Sequence, residues 1–276
     1  MKEHSRMIKH SLKWGALALA LALPFTAQAH KMWMVPSATN VSGADPWVTV
    51  DAAVSNDLFY PDHMPVQLDR VSITLPDGQT AKPENALTGQ YRSVFDVHLT
   101  EAGTYKIAAV NGGLFASYEV DGQKKRWRGD AAELAKSIPS NAKNVEVSDS
   151  INRVETFVTN GKPSDGALKP SGKGLELVPV TRFTDLASGE AATFQLLLDG
   201  KPASNLKVMA IAGETRYRNA PEEIDVTTDK DGKFSITWPH AGMYWVNAST
   251  QDNKSSIKQA KVRRLSYAAT LEVLPQ

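Results

Sequence analysis

Two stretches decide the fold: DVHLTEAGTYKIAA, from Asp96 to Ala109, and SITWPHAGMYWVNA, from Ser235 to Ala248. They align without a gap. Each reads as a strand, an Ala-Gly turn, a tyrosine and a second strand, with apolar residues at every second position, the mark of a strand that buries one face. Tyr105 and Tyr244 fall where an immunoglobulin-like sandwich sets a corner tyrosine, its ring in the core and its hydroxyl on a nearby turn backbone. A pattern met twice predicts two sandwiches.

The alternation continues outward from both copies, through Val48, Val50, Ala52 and Val54, through Val71, Ile73 and Leu75, through Phe194, Leu196 and Leu198, through Phe234, Ile236 and Trp238, and through Tyr267, Ala269, Leu271 and Val273. Turn signals such as Pro76-Asp77-Gly78, Asp121-Gly122, Asp199-Gly200 and Asp231-Gly232 separate these runs. One short helix is expected over DAAELAKSI, with Asp130 as N-cap, Ala131, Leu134, Ala135 and Ile138 on its apolar face and Pro139 as the stop. The expected fold class is therefore all-β, two immunoglobulin-like or transthyretin-like β-sandwich domains with one short helix. The polar run TNGKPSDGALKPSGKG suggests a linker at 161–174, between an N-terminal sandwich at 30–160 and a C-terminal one at 175–276.

The chain has 276 residues, 42% hydrophobic and 22% charged, with 31 basic against 30 acidic residues. That composition excludes a disordered or collagen-like chain, and the lack of a basic pole argues against nucleic acid as a partner. Residues 1–29 carry a basic start, an apolar run from Trp14 to Leu23, Pro24 and a small-residue end, Ala27-Gln28-Ala29, the layout of a signal peptide. The expected product is a periplasmic protein with no transmembrane segment after processing. Cysteine is absent, which excludes thiolate chemistry and thiolate metal sites.

Cleavage after Ala29 would make His30 the first residue. An N-terminal histidine brings a free α-amine and an imidazole to one place, two nitrogen donors suited to Cu(II) or Ni(II). His63 lies in SNDLFYPDHMP, a segment stiffened by Pro61 and Pro65 and carrying Asp57 and Asp62, which makes His63 the expected partner and the two aspartates the next candidates. His98 alternates with Val97 and Leu99 and should point away from the core, while His240 sits in a turn whose counterpart in the first copy is Glu101. Met32, Met34 and Met64 are soft donors, but methionine is more often core filler. Lys124, Lys125, Arg126 and Arg128 flank Trp127, which reads as an anion-binding patch or, more commonly, as a solvated loop anchored by one tryptophan. The sequence has no G-x-S-x-G elbow, H-E-x-x-H helix, P-loop or dinucleotide fingerprint, so no catalytic residues are expected and the protein reads as a binder and not an enzyme.

The opening HKMWMVPS, the segment WVTVDAAVSNDLFYPDHMP, the block GQYRSVFDVHLTEAGTYKIAAVNGGLFASY and the ending YAATLEVLPQ together resemble a bacterial periplasmic family of unknown function that has been linked to nickel uptake. The resemblance runs from about His30 to Gln276. It implies an immunoglobulin-like sandwich followed by a second β module, a processed histidine followed closely by tryptophan (here His30 and Trp33), and a metal-related role. The second module also resembles transthyretin-like and carboxypeptidase regulatory-like accessory domains, which bind or space and do not catalyse. The leading expectation is a Cu or Ni binding protein, a carrier or accessory in metal uptake that hands its ion to a transporter of the outer or inner membrane. Two alternatives stand beside it: a receptor- or glycan-binding scaffold module, and an enzyme like the copper-dependent polysaccharide monooxygenases, which also begin with a histidine.

Overall fold

The computed structural model describes residues 30–276; the expected signal segment, 1–29, lies outside the described residues. The chain is all-β, with one α-helix among the described residues, Ala131–Ser137. Asp130 caps that helix as expected, its Oδ1 accepting from the backbone N–H groups of Ala132 and Glu133, both at 2.9 Å.

The strands form three layers. A five-stranded sheet runs in the order Lys31–Pro36, Trp47–Ser55, Ser93–His98, Glu84–Thr88, with Met64–Pro65 added beside Trp47–Ser55. A four-stranded sheet contains Leu175–Pro179, Ala191–Leu198, Lys201–Pro202 and Lys233–Thr237. Between them lies a ten-stranded sheet built from both halves of the chain. Its central seam is the parallel pairing of Lys143–Asn160 with Val262–Val273, in register from Ser148 opposite Val262 to Thr156 opposite Thr270.

Side chains alternate across that middle sheet, so each strand serves two cores. Val154 and Val158 face the first core with Trp33, Phe95 and Tyr105, whereas Phe157 faces the second with Phe194 and Trp238. From the second half, Ile211, Trp245 and Ala268 join the first core, while Ala210, Tyr244, Val246, Tyr267 and Ala269 join the second. Burial on both faces accounts for the unbroken apolar run Tyr267-Ala268-Ala269, and the polar groups this sheet does bury, such as Glu155, are hydrogen-bonded. Residues 161–174 form a packed connection that includes the 3-10 turn Gly166–Leu168, with Ala167 buried and the N–H groups of Ser171 and Gly172 donating to Glu176.

Both corner tyrosines are present. Tyr105 Oη donates to the Glu101 carbonyl at 3.1 Å and accepts from the Glu101 N–H at 2.8 Å. Tyr244 does the same with His240, at 3.0 and 3.3 Å. These matched pairs make the immunoglobulin-like corner a feature of both halves.

Candidate functional site

The first strand begins at Lys31, and its pairing of Lys31 with Ser55 brings the neighbouring His30 to the mouth of the segment 56–63. His30 and His63, far apart in sequence, stack there with ring centroids 3.8 Å apart and planes 2° from parallel. Both are exposed.

What holds His63 in place is a set of clasps on the loop before it. Ser55 Oγ accepts from the buried Trp33 indole at 2.7 Å and donates to the Asp57 carbonyl at 2.5 Å. Asp62 turns back on the loop, its Oδ1 accepting from the Asn56 N–H at 2.9 Å and its Oδ2 from Asn56 Nδ2 at 3.4 Å. The Leu58 N–H donates to Thr215 Oγ1 of the second half at 3.1 Å. Phe59 takes a left-handed φ of 62° and lays its ring edge-on to Trp33, 5.8 Å away. Its other side meets Gly213, where a Cβ would stand 3.0 Å from a ring carbon, so a larger residue there must push the ring back by a few tenths of an ångström.

His30 and His63 are thus brought together. Asp62 spends its carboxylate on Asn56, and Asp57 is tied to the loop through its carbonyl. Among the described residues no three His, Cys, Asp or Glu side chains converge on one point. The two imidazoles are the nitrogen donors that the described residues bring together here.

The other histidines lie apart from this pair. His98 pairs with Trp47, stacks on its ring at 4.0 Å and contacts the Asp45 carboxylate. Trp47 is eight residues from Ser55 along one strand, a distance of roughly 27 Å at the usual rise. His240 lies with its turn in the wall of a second feature that the sequence did not reveal. This is a cleft of about 470 Å³ where Leu58, Phe59 and Tyr60 of the first half meet Arg216, Tyr217 and Arg218 of the second. Arg216 stacks over the Tyr60 ring at 4.0 Å. Arg218 donates to the Ala212 and Pro221 carbonyls at 2.8 and 3.1 Å, while its buried Nε has no hydrogen-bond partner. Burial pushes the Tyr244 hydroxyl up from the usual phenol range, so it remains a donor to the His240 turn. The pairing of Lys207–Ala212 with Gly242–Asp252 brings the 213–218 and 240–243 loops together, the Leu58–Thr215 bond adds the loop of the first half, and no local pattern announces either.

The fold and site define a class: a three-layered β protein whose first strand presents one imidazole against another. The chain belongs to the family described as a domain of unknown function, DUF4198, whose model matches residues 27–252. No curated protein matches it. Among solved structures it is similar to the D0-D1 domain of intimin, at 13% identity over 87% of this chain and 97% of that one, with a TM-score of 0.21. It is also similar to trypsin-activated alpha-2-macroglobulin from Escherichia coli, at 13% identity over 88% of this chain and 23% of that one, with a TM-score of 0.21. A marsupial T cell receptor matches at 10% identity over 89% of this chain and 74% of that one, with a TM-score of 0.22. Among the described residues no helix is long and apolar enough to cross a membrane.

Proposed function

We propose that this protein is exported to the periplasm, starts at His30 after processing, and carries a divalent transition metal, Cu(II) or Ni(II), as an accessory in metal uptake. The His30 α-amine and imidazole and the His63 imidazole would hold the ion. The observation that carries this reading is the stacking of the two rings at 3.8 Å. The donor set is all nitrogen, which suits these two ions and not a hard cation such as calcium. Ring nitrogens donate in the ring plane, so two parallel rings do not aim at a common point. At least one must swing about its side-chain torsions on binding, a small rearrangement for exposed groups.

Isothermal titration of Cu(II) and Ni(II) into the chain beginning at His30 tests the reading, beside the same chain with one extra alanine ahead of His30 and a His63→Ala variant. Micromolar or tighter binding is expected, with at least about a tenfold loss in each variant, since each loses one ligand nitrogen. No binding tighter than millimolar, or equal binding with the extra residue in place, refutes it.

The cleft at Tyr60, Arg216 and Tyr217 favours a second reading, a receptor- or glycan-binding module, because aromatic faces beside guanidinium groups suit sugars and polar ligands. Glycan or receptor binding unaffected by His30→Ala would select that reading over the carrier.

A further inference from the structure

The hairpin Gly103–Val120 and Gln123–Gly129 leaves an open sheet edge whose chemistry is unusually uniform. Gln123–Gly129 pairs with Gly103–Val120 on one side and with no described strand on the other. The helix Ala131–Ser137 packs on a face of this arm, its Leu134 closing a small core with Leu114, Ala116 and Val147, and so does not cap the edge.

Register decides which backbone groups are free. The turn is the two-residue Asp121-Gly122, with φ of 51° and 74°, and Val120 is opposite Gln123. In such a hairpin the residues flanking the turn exchange both hydrogen bonds, and every second pair after them does the same. Gln123, Lys125, Trp127 and Gly129 therefore spend their N–H and C=O groups inward, on Val120, Tyr118, Ala116 and Leu114. Lys124, Arg126 and Arg128 point theirs outward. The three residues that offer free backbone groups are all cations, and their side chains share one face with Glu119, Ser117 and Phe115 opposite them. Among the described residues none of the three makes an ion pair.

Edge lysines commonly keep strands from pairing, but protected edges are also short, bulged or broken by proline. This one has seven residues in unbroken register and no proline. Its charge repels a basic strand and recruits an acidic one.

We infer that Gln123–Gly129 is a docking edge for an extended acidic segment of a partner protein, which adds as a strand and places carboxylates at every second position against Lys124, Arg126 and Arg128. The match is geometric, since alternate residues on both strands repeat at roughly 6.8 Å. Lys125, equally basic, lies on the other face and takes no part.

The test is fluorescence anisotropy of a labelled, capped peptide, Thr-Glu-Val-Glu-Val-Glu-Thr, with the full chain, against a peptide of the same composition whose glutamates are contiguous. The alternating peptide should bind at least about tenfold tighter, and weaken several-fold as NaCl rises from about 50 to 300 mM. Arg126→Pro removes an outward N–H without touching the hairpin's own ladder, and Arg126→Glu reverses the charge; each should weaken binding at least about tenfold. Lys125→Glu should change it by less than about threefold. If Arg126→Pro lowers the thermal midpoint, Arg126→Glu beside Lys125→Glu decides. Equal binding of the two peptides overturns the inference. So does equal damage from Lys125→Glu and Arg126→Glu, full competition by polyphosphate, or no saturation by millimolar peptide.

Discussion

Ser55→Ala is the substitution that most directly probes how the fold holds His63. Ser55 is fully buried, and its hydroxyl joins the Trp33 indole to the Asp57 carbonyl at 2.7 and 2.5 Å. Alanine leaves the indole N–H without an acceptor in a site where Trp33 is 1% exposed, which costs about 1–3 kcal/mol. Loss of the bond to Asp57 adds about 0.5–1.5 kcal/mol, for a total of about 2–4 kcal/mol and a drop in thermal midpoint of roughly 5–15 °C for a chain of this size. Urea unfolding measures the loss, and amide exchange by mass spectrometry should show residues 56–63 opening faster. A double-mutant cycle isolates the bond from the cavity that a smaller ring leaves. Trp33→Phe removes the donor, so Trp33→Phe with Ser55→Ala should cost about 1 kcal/mol or more less than the two changes summed. A Ser55→Ala protein within about 0.5 kcal/mol of the parent, or strictly additive costs, refutes the account of the clasp.

Glu155 gives a pH-dependent outcome. Its burial, opposed by the charges of Lys106 and Arg153, raises its carboxyl above the ordinary 4.5 even with the Tyr267 hydroxyl donating to it at 2.8 Å. The folded state therefore binds this proton more tightly than the unfolded state, and the stability it contributes is full below the unfolded value and lost as pH rises through the folded one. Glu155→Gln, which carries no charge to bury, should gain on the parent as pH rises from about 4 to 8, read as the difference between two urea curves; a difference that does not move with pH refutes this. The corner tyrosines supply a matched pair: Tyr105→Phe and Tyr244→Phe each lose two hydrogen bonds to one turn and should each cost about 1–3 kcal/mol by urea unfolding. A cost below about 0.5 kcal/mol in either would make that hydroxyl incidental.

Which parts of this were readable beforehand depends on how local the information is. The corner tyrosines and most core positions follow from period two and from turn residues, and these need only a few neighbouring positions to be recognised. The shared middle sheet does not, because the parallel seam joins Ser148 to Val262, more than a hundred residues away, and strand partners across such a gap leave no local trace. A trace of its consequence existed in Ala268 and Thr270. Both are buried on the face that alternation assigns to solvent, and a strand small on one side and large on the other is one covered on both. His30 and His63 could be named as candidates from residue type, but their contact depends on the Lys31–Ser55 register. Asp62, one residue before His63, has its carboxylate accepting from the Asn56 backbone and side chain, a use that residue type alone does not reveal.

The geometry of the histidine pair is also not the property of one sandwich. The strand that follows His30 is stapled to the second half where Trp245 Nε1 donates to the Met32 carbonyl at 2.9 Å, and Asn111 Nδ2 reaches Met32 Sδ at 3.5 Å from the middle sheet. The loop that carries His63 is held by Thr215 and by the wedge of Phe59 against Gly213, again in the second half. Two exposed rings resting on separately anchored segments keep their separation only as well as the middle sheet keeps those anchors in register. Interiors packed at crystal-like density transmit small displacements without absorbing them. A change at Gly213 or Trp245, remote from both rings in sequence, therefore acts on the same distance as a change at Ser55, and the second half serves the site as its frame while contributing no imidazole to it.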